Sequence, residues 1–181
     1  MEEVRLRRAR RQAALAEQHY AEDASEESKA EVAKYRRQAN QIELEVYAAR
    51  SERDPGNLRL KYELGCRLKK AGKPKEAINS LQAARGDSKR LPQVLVELGE
   101  CFQKIEQYKL ALSHYEQAVD ACDDAHAEVR KLALYRAGVL ATGLRELDVA
   151  ERRLTELAGV DYGYRDVADR LDKIAQLRNS G

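Results

Sequence analysis

The residues whose types suit metal coordination are concentrated in one stretch: His114, Cys122, Asp123, Asp124 and His126. Imidazole, thiolate and carboxylate groups are the usual zinc ligands, and four of them around one ion would make a closed structural site. The spacing of these five residues matches no such site, and the sequence has no Cys-x-x-Cys pair. We therefore expect no metal here, with His114 beside a packed region and the other four residues in a loop.

Motifs of phosphate binding and of nucleophilic catalysis are missing. The sequence contains no Gly-x-x-x-x-Gly-Lys, no Gly-x-Gly-x-x-Gly and no Gly-x-Ser-x-Gly. Carboxylate pairs are abundant, but carboxylates on helices are usually solvated. We therefore expect no enzymatic activity and no cofactor.

Arginines crowd the beginning of the chain at positions 5, 7, 8, 10 and 11. They would suit a basic arm that binds RNA or another anionic surface. They would equally suit a solvated helix whose arginines pair with Glu2, Glu3 and Glu17. No aromatic residue is interleaved for base stacking, and the formal net charge is only +2. We therefore favour the solvated helix and do not expect nucleic acid as a partner.

Three cysteines, Cys66, Cys101 and Cys122, are widely spaced, as expected of a protein in a reducing compartment. The N-terminus lacks the apolar core of a signal peptide, and no apolar run approaches membrane-spanning length. These features predict a cytoplasmic protein that does not insert into membranes. The length of 181 residues suits one compact domain or a short solenoid with an appendage. Such a length would fit the terminal piece of a larger protein, whereas the leading Met favours a complete chain.

One pattern occurs three times. Its middle copy is Leu95-x-x-Leu98-Gly99-x-x-Phe102, followed by Ala111-x-x-x-Tyr115 and then by Ala118. The first copy has the corresponding residues 34 positions earlier, at Leu64, Gly65, Leu68, Ala77, Leu81 and Ala84. The third copy contains Leu134, Ala137, Gly138, Ala141, Ala150, Leu154 and Leu157, after an insertion of five residues. Apolar residues three and four apart predict an amphipathic helix in each half of a copy.

This pattern resembles the tetratricopeptide repeat, a helix-turn-helix unit of 34 residues. The resemblance implies an all-α solenoid of three repeats, flanked by N-terminal helices and a C-terminal capping helix. Gly65, Gly99 and Gly138 are expected where paired helices approach closely. The run from Val160 to Val167 also resembles the ends of repeat arrays in bacterial proteins, which suggests a bacterial origin.

The predicted organisation has three parts. Residues 1–53 form two N-terminal helices, residues 54–162 form the repeats (about 58–91, 92–125 and 127–162), and residues 163–181 form a capping helix and tail. The second N-terminal helix carries a heptad-like seam at Val32, Tyr35, Ala39, Ile42, Val46 and Ala49. Either this helix caps the first repeat, with Tyr47 as its large packing residue, or it pairs with a second copy as a coiled coil.

Local signals predict where several helices begin and end. Ser28-x-x-Glu31 is a candidate capping box, with Ser25 as the alternative cap. Gly72 and Gly143 are candidate stops after the first helices of repeats one and three. The corresponding turn of repeat two, Ile105-Glu106-Gln107, has no glycine. The last helix is predicted over residues 164–178.

The resemblance also implies a ligand site, because the first helices of tetratricopeptide repeats line a concave groove. The residues expected to face that groove are Arg59, Tyr62, Cys66, Lys69, Gln93, Val96, Glu100, Gln103, Leu132, Tyr135, Val139 and Thr142. Tyr62, Val96, Leu132, Tyr135 and Val139 would form an apolar strip suited to an amphipathic helix or an extended peptide, unless the chain's own helices cover it. The family's carboxylate clamp is not expected, because Tyr62, Cys66 and Glu100 occupy comparable places.

The sequence thus predicts a non-enzymatic scaffold that binds a protein or peptide partner. The alternative is a structural assembly subunit that dimerises through its N-terminal helix.

Overall fold

The computed structural model describes residues 1–179, which contain α-helices and two single turns of 3-10 helix but no β-strand. The helices are α1 (Glu2–Glu22), α2 (Glu26–Arg53), α3 (Leu58–Lys70), α4 (Pro74–Ala84), α5 (Leu91–Lys104), α6 (Tyr108–Ala121), α7 (Ala127–Gly143), α8 (Leu147–Val160) and α9 (Val167–Asn179). The predicted all-α class and its three helix-turn-helix repeats are therefore confirmed. Over these residues, no helix is long and apolar enough to cross a membrane.

The chain divides into two compact units, Met1–Ala83 and Ala84–Gly181, which are described separately. The predicted boundaries after residues 53 and 162 stay predictions. In the first unit, α2 packs against both α1 and α3. The apolar seam of α1 and α2 is thin: Leu6, Ala9 and Ala16 are buried on α1, and Val32, Ala39 and Val46 on α2.

The structure decides between the two predicted caps of α2 and shows the surroundings of Tyr47. Ser25 caps the helix, and its side chain accepts a hydrogen bond from the Ser28 backbone N–H at 3.2 Å. Ser28 is instead buried and donates its hydroxyl to the carbonyl of Asp23, so it is not the cap. Val46 is buried, and Tyr47 is half-buried under the guanidinium of Arg67 in α3, which lies 5.0 Å from the centre of its ring.

In each of the three repeats, a glycine on the first helix leaves space for a large side chain from the second helix. A Cβ placed on Gly65 would lie 2.6 Å from Leu81, and one on Gly138 would lie 2.5 Å from Leu154. In the middle pair, a Cβ on Gly99 would lie 2.4 Å from the ring of Tyr115. These approaches are too close for any side chain larger than hydrogen, so the glycines are required by packing.

In the second unit, α5 packs on α6, α7 packs on α6 and α8, and α9 packs on α8. Its core is apolar and almost completely buried. Leu98, Tyr115, Leu134, Leu154 and Leu157 each have 0% of their surface exposed. Because neighbouring pairs share this core, the repeats stabilise one another, as expected of a repeat protein.

The turn inside each repeat has the same backbone conformation. Gly72, Glu106 and Arg145 occupy equivalent positions and have positive φ angles of 75°, 62° and 63°. The next backbone N–H bonds back to the helix in all three turns, at 3.0 Å for Leu68, 2.9 Å for Phe102 and 2.9 Å for Ala141. The prediction that Gly143 stops α7 was therefore wrong, since Gly143 is still helical and Arg145 makes the turn.

The last helix begins later than predicted. Residues 161–166 form turns, with Arg165 at a φ of 52° and the N–H of Tyr164 bonded to the carbonyl of Asp161 at 3.1 Å. Helix α9 therefore starts at Val167, which is fully buried together with Ile174. These two side chains attach α9 to the core of the second unit.

Candidate functional site

The first helices of the second unit, α5 and α7, pack side by side and form what we call the α5–α7 face. It carries eight of the twelve predicted groove residues: Gln93, Val96, Glu100, Gln103, Leu132, Tyr135, Val139 and Thr142. Val96 is 4% exposed and Tyr135 is 9% exposed, so both belong largely to the core. The other six are half-buried, and their remaining surface is what this face can offer to a ligand.

The remaining four predicted residues lie on α3, in the first unit. Arg59 is exposed, Tyr62 and Lys69 are half-buried, and Cys66 is buried. Arg59, Tyr62 and Lys69 therefore retain exposed surface of their own.

The sequence did not reveal what surrounds Tyr135. Its hydroxyl donates a hydrogen bond to Asp166 at 2.7 Å, and its ring meets the ring of Tyr164 edge to face, with centres 5.8 Å apart. The guanidinium of Arg165 lies 4.6 Å from the centre of the Tyr135 ring, and that of Arg170 lies 5.3 Å away. The segment before α9 thus covers Tyr135, so Leu132 and Val139 are the residues of the predicted apolar strip on α7 that keep accessible surface.

The contact between Tyr135 and Asp166 also changes the pKa of Asp166. The hydrogen bond from Tyr135, followed by the bond from Arg170 at 2.9 Å, lowers the pKa of Asp166. Asp166 is therefore ionised at neutral pH and serves as a fixed acceptor for both groups.

Polar contacts join α5 to its neighbours on the same face. Arg136 of α7 bonds Glu100 of α5 at 3.0 Å, and the hydroxyl of Tyr115 donates to Gln103 at 3.0 Å. Burial, followed by the charge of Glu100, raises the pKa of Tyr115, so this phenol stays protonated. The face therefore presents fixed polar groups beside an apolar strip, a composition suited to peptide recognition.

The metal-type residues of the sequence do not converge. His114 stacks on Phe102 with ring centres 5.1 Å apart, whereas His126 bonds Asp123 at 2.6 Å and the carbonyl of Lys89 at 3.0 Å. Within residues 1–179, no group of three His, Cys, Asp or Glu side chains is placed to hold a metal ion. His126 and Asp123 instead fasten the loop between the second and third repeats.

The N-terminal arginines are partly neutralised by α2. Arg5 bonds Glu45 at 3.0 Å and Arg10 bonds Glu43 at 2.6 Å, while Arg7 bonds Glu3 within α1 at 3.5 Å. Among the described residues, Glu3 is the one expected partner that pairs with an arginine of this cluster. Glu2 pairs with Arg50 and Arg53, and Glu17 pairs with Arg36. These arginines therefore help to join α1 to α2.

Comparisons with known proteins identify the fold. No protein-family model matches this sequence, and no curated protein matches it. The crystal structure of MamA is similar to this chain with a TM-score of 0.70 at 18% identity, over 82% of this chain and 84% of MamA.

Two further solved structures are tetratricopeptide domains of RPAP3. The first domain, described as bound to an HSP90 peptide, has a TM-score of 0.57 at 19% identity, over 67% of this chain and 95% of that one. The second domain, from the human protein and in complex with an HSP70 peptide, has a TM-score of 0.55 at 20% identity, over 66% and 98%. This chain has the tetratricopeptide-repeat fold.

Within this fold, the repeat motif located the first helices, and hence the helices that carry the candidate face. The covering of Tyr135 could not be read from the motif, because the segment around Asp166 lies outside the repeats. Two tyrosines and two charged residues occur within positions 162–166, and this concentration of rings and charges was the one available signal.

Proposed function

We propose that this protein is a non-enzymatic interaction scaffold that binds a peptide or an amphipathic helix on the face of its first helices. The eight predicted residues of the α5–α7 face form our candidate site, and the four predicted residues of α3 are a separate proposal within the first unit. The observation that carries the proposal is the pair Leu132 and Val139, two apolar side chains on α7 that pack against the core but keep part of their surface exposed. An amphipathic helix or an extended strand could bury both, because each places apolar side chains at regular intervals on one side.

The peptides bound in the two RPAP3 structures support a peptide as the partner class. Their peptides, SRMEEVD and SGPTIEEVD, share the ending Glu-Glu-Val-Asp. In this chain the cations of a carboxylate clamp are not expected, because Tyr62, Cys66 and Glu100 occupy comparable places, and Glu100 is already paired with Arg136 at 3.0 Å. We therefore propose a ligand that binds mainly through apolar side chains and does not require a carboxylate clamp.

Two paired substitutions test this proposal. Leu132→Lys with Val139→Lys places charge on the α5–α7 face, and long lysine side chains can reach solvent without disrupting the fold. Tyr108→Lys with Leu110→Lys makes the same chemical change on α6, where these residues are 41% and 48% exposed. Circular dichroism should show that both variants remain helical.

The measurement is quantitative affinity purification with cross-linking from the native cell. We expect the Leu132 and Val139 variant to lose specific partners by about ten-fold or more, while the Tyr108 and Leu110 variant retains them. Equal recovery by the two variants would contradict this site.

Self-association through α2 is the alternative function. Its seam residues Val32, Ala39 and Val46 are buried within the first unit, so a dimer formed through them would have to open the α1–α2 hairpin. Sedimentation at micromolar concentration tests this alternative, and a monomer would exclude it.

A further inference from the structure

The first unit contains a cleft of about 770 Å³ bounded by α1, α2 and the end of α3. Arg10 and Glu17 contribute from α1, Arg36 and Arg37 from α2, and Lys70 from the last residue of α3. The volume lies in the range of pockets that hold small ligands or short peptide segments. None of the residues described as lining this cleft is among the twelve predicted groove residues, so the cleft would be a second site.

The charges in the cleft do not cancel. Glu17 is paired with Arg36 at 2.7 Å, and Glu43 with Arg10 at 2.6 Å. Glu43 also bonds Arg67 at 2.8 Å, an arginine with only 14% of its side chain exposed. Both carboxylates that line the cleft are therefore already neutralised by bonds within the unit.

Two cations remain. Arg37 and Lys70 are exposed, and no ion pair is formed by either within the part of the chain that the structure describes. They lie on different helices around the same cleft, so they could meet two anionic groups of one ligand. The cleft is consequently electropositive, although the whole chain has a formal net charge of only +2.

Alanines give this cleft room for a polypeptide backbone. Ala13, Ala14, Ala39 and Ala71 line it, and their short side chains allow close approach to the helices. The lining that the structure describes includes no aromatic ring on which a nucleotide base could stack. The shape and charge therefore favour a peptide over a single-stranded nucleic acid.

We propose that this cleft binds an acidic segment of a partner polypeptide, whose carboxylates pair with Arg37 and Lys70. Arginine offers a planar fork that can hold a carboxylate through two hydrogen bonds, and lysine offers a compact point charge. Because both cations are exposed, their contribution is expected to weaken with added salt.

Fluorescence anisotropy with the full chain tests the proposal. The probe is a labelled peptide of alternating glutamate and alanine, and its control has glutamine in place of every glutamate. The test variant is Arg37→Glu with Lys70→Glu. The matched control is Arg8→Glu with Arg11→Glu, which makes the same charge change at two exposed arginines that do not line the cleft.

We expect the glutamate peptide to bind the unaltered chain more tightly at low salt than at high salt, and the glutamine peptide not to bind. The Arg37 and Lys70 variant should weaken binding by about ten-fold or more, since it replaces attraction by repulsion at two points. The Arg8 and Arg11 variant should retain it. Circular dichroism checks folding, and Arg37→Gln with Lys70→Gln serves as a milder variant, with weakened binding again expected.

Three outcomes would overturn the proposal. In the first, the glutamate peptide shows no binding to the unaltered chain at low salt. Both charge-reversed variants could weaken binding equally, which would indicate only the effect of net charge. Finally, a single-stranded oligonucleotide or phosphatidylserine vesicles could bind more tightly than the peptide through Arg37 and Lys70, which would assign the cleft to a different class of partner.

Discussion

At the scale of single residues, the two histidines near the middle of the chain have opposite electrostatic surroundings. Burial, followed by the charge of Arg85, lowers the pKa of His114, and its Nδ1 atom is buried without a hydrogen-bond partner in the described residues. The carbonyl of Lys89, followed by Asp123, raises the pKa of His126. One histidine therefore resists protonation in the folded state and the other favours it.

These shifts predict opposite effects on stability as the pH falls through about 6.5, the ordinary histidine pKa. The unfolded chain binds a proton at position 114 more readily than the folded chain, so His114 lowers the free energy of unfolding as the pH falls. His126 behaves in reverse: its contribution is fully present below the ordinary pKa and is lost as the pH rises through the raised value. Urea unfolding between pH 5 and pH 8 should show a smaller acid loss in His114→Phe and a larger one in His126→Gln, relative to the unaltered chain.

His114→Phe retains an aromatic ring against Phe102, so a change in pH dependence can be separated from a loss of packing. Parallel pH profiles for the unaltered chain and both variants would contradict the assigned directions. Sequence analysis placed His114 beside a packed region, but it could not give either direction, because both depend on residues distant in sequence. Lys89, for example, precedes His126 by 37 positions.

At the scale of elements, much of the fold was predictable because one packing pattern recurs in each repeat. A glycine on the first helix lies opposite a large side chain on the second helix. The spacing between Gly99 and Tyr115 recurs between Gly65 and Leu81, so the helix pairing follows from the motif alone. The turns were less predictable. Glu106 and Arg145 adopt a backbone conformation that usually requires glycine, because the surrounding repeat imposes it despite the local cost. Because the repeat places this turn conformation at Arg145, Gly143 was a misleading signal for the end of α7.

The packing pattern gives a prediction at this scale. Gly99→Ala would place a Cβ 2.4 Å from a ring carbon of the fully buried Tyr115, and the ring would have to move within a close-packed core. We expect the free energy of unfolding to fall by about 1–3 kcal/mol. Gly143→Ala is the matched control, since a Cβ there meets nothing within 4 Å.

Because alanine favours helix over glycine, the control should leave stability unchanged or raise it by up to about 1 kcal/mol. Urea denaturation of the three proteins measures the difference. If Gly99→Ala were as stable as Gly143→Ala, the first and second helices of the middle repeat would not pack as described.

At the scale of the whole molecule, the α1–α2 hairpin of the first unit and the helices of the second unit differ in how much apolar surface they bury. The second unit buries large apolar side chains, including Tyr115 and four fully buried leucines. The α1–α2 hairpin of the first unit buries only one leucine and two alanines from α1. Its helices are joined instead by ion pairs such as Arg5 with Glu45 at 3.0 Å and Arg53 with Glu2 at 2.6 Å.

This difference predicts that salt acts on the two units unequally. Raising the ionic strength from about 0.15 M to 1 M shortens the screening length from about 8 Å to about 3 Å. Exposed ion pairs contribute at most about 1 kcal/mol each and are weakened by screening, whereas apolar burial is not. Hydrogen exchange should therefore become faster in α1 at 1 M sodium chloride and stay nearly constant in α5 to α8.

A charge variant shows whether the ion pairs are responsible. Arg10→Gln removes the ion pair with Glu43. The two groups lie 2.6 Å apart, and the side chain of Glu43 is only 12% exposed. In this variant α1 should already exchange faster at low salt, and added salt should have a smaller further effect. If salt slowed exchange in α1, or accelerated it equally in α1 and α7, the thin seam of Leu6, Ala9 and Ala16 would be sufficient to hold the hairpin together.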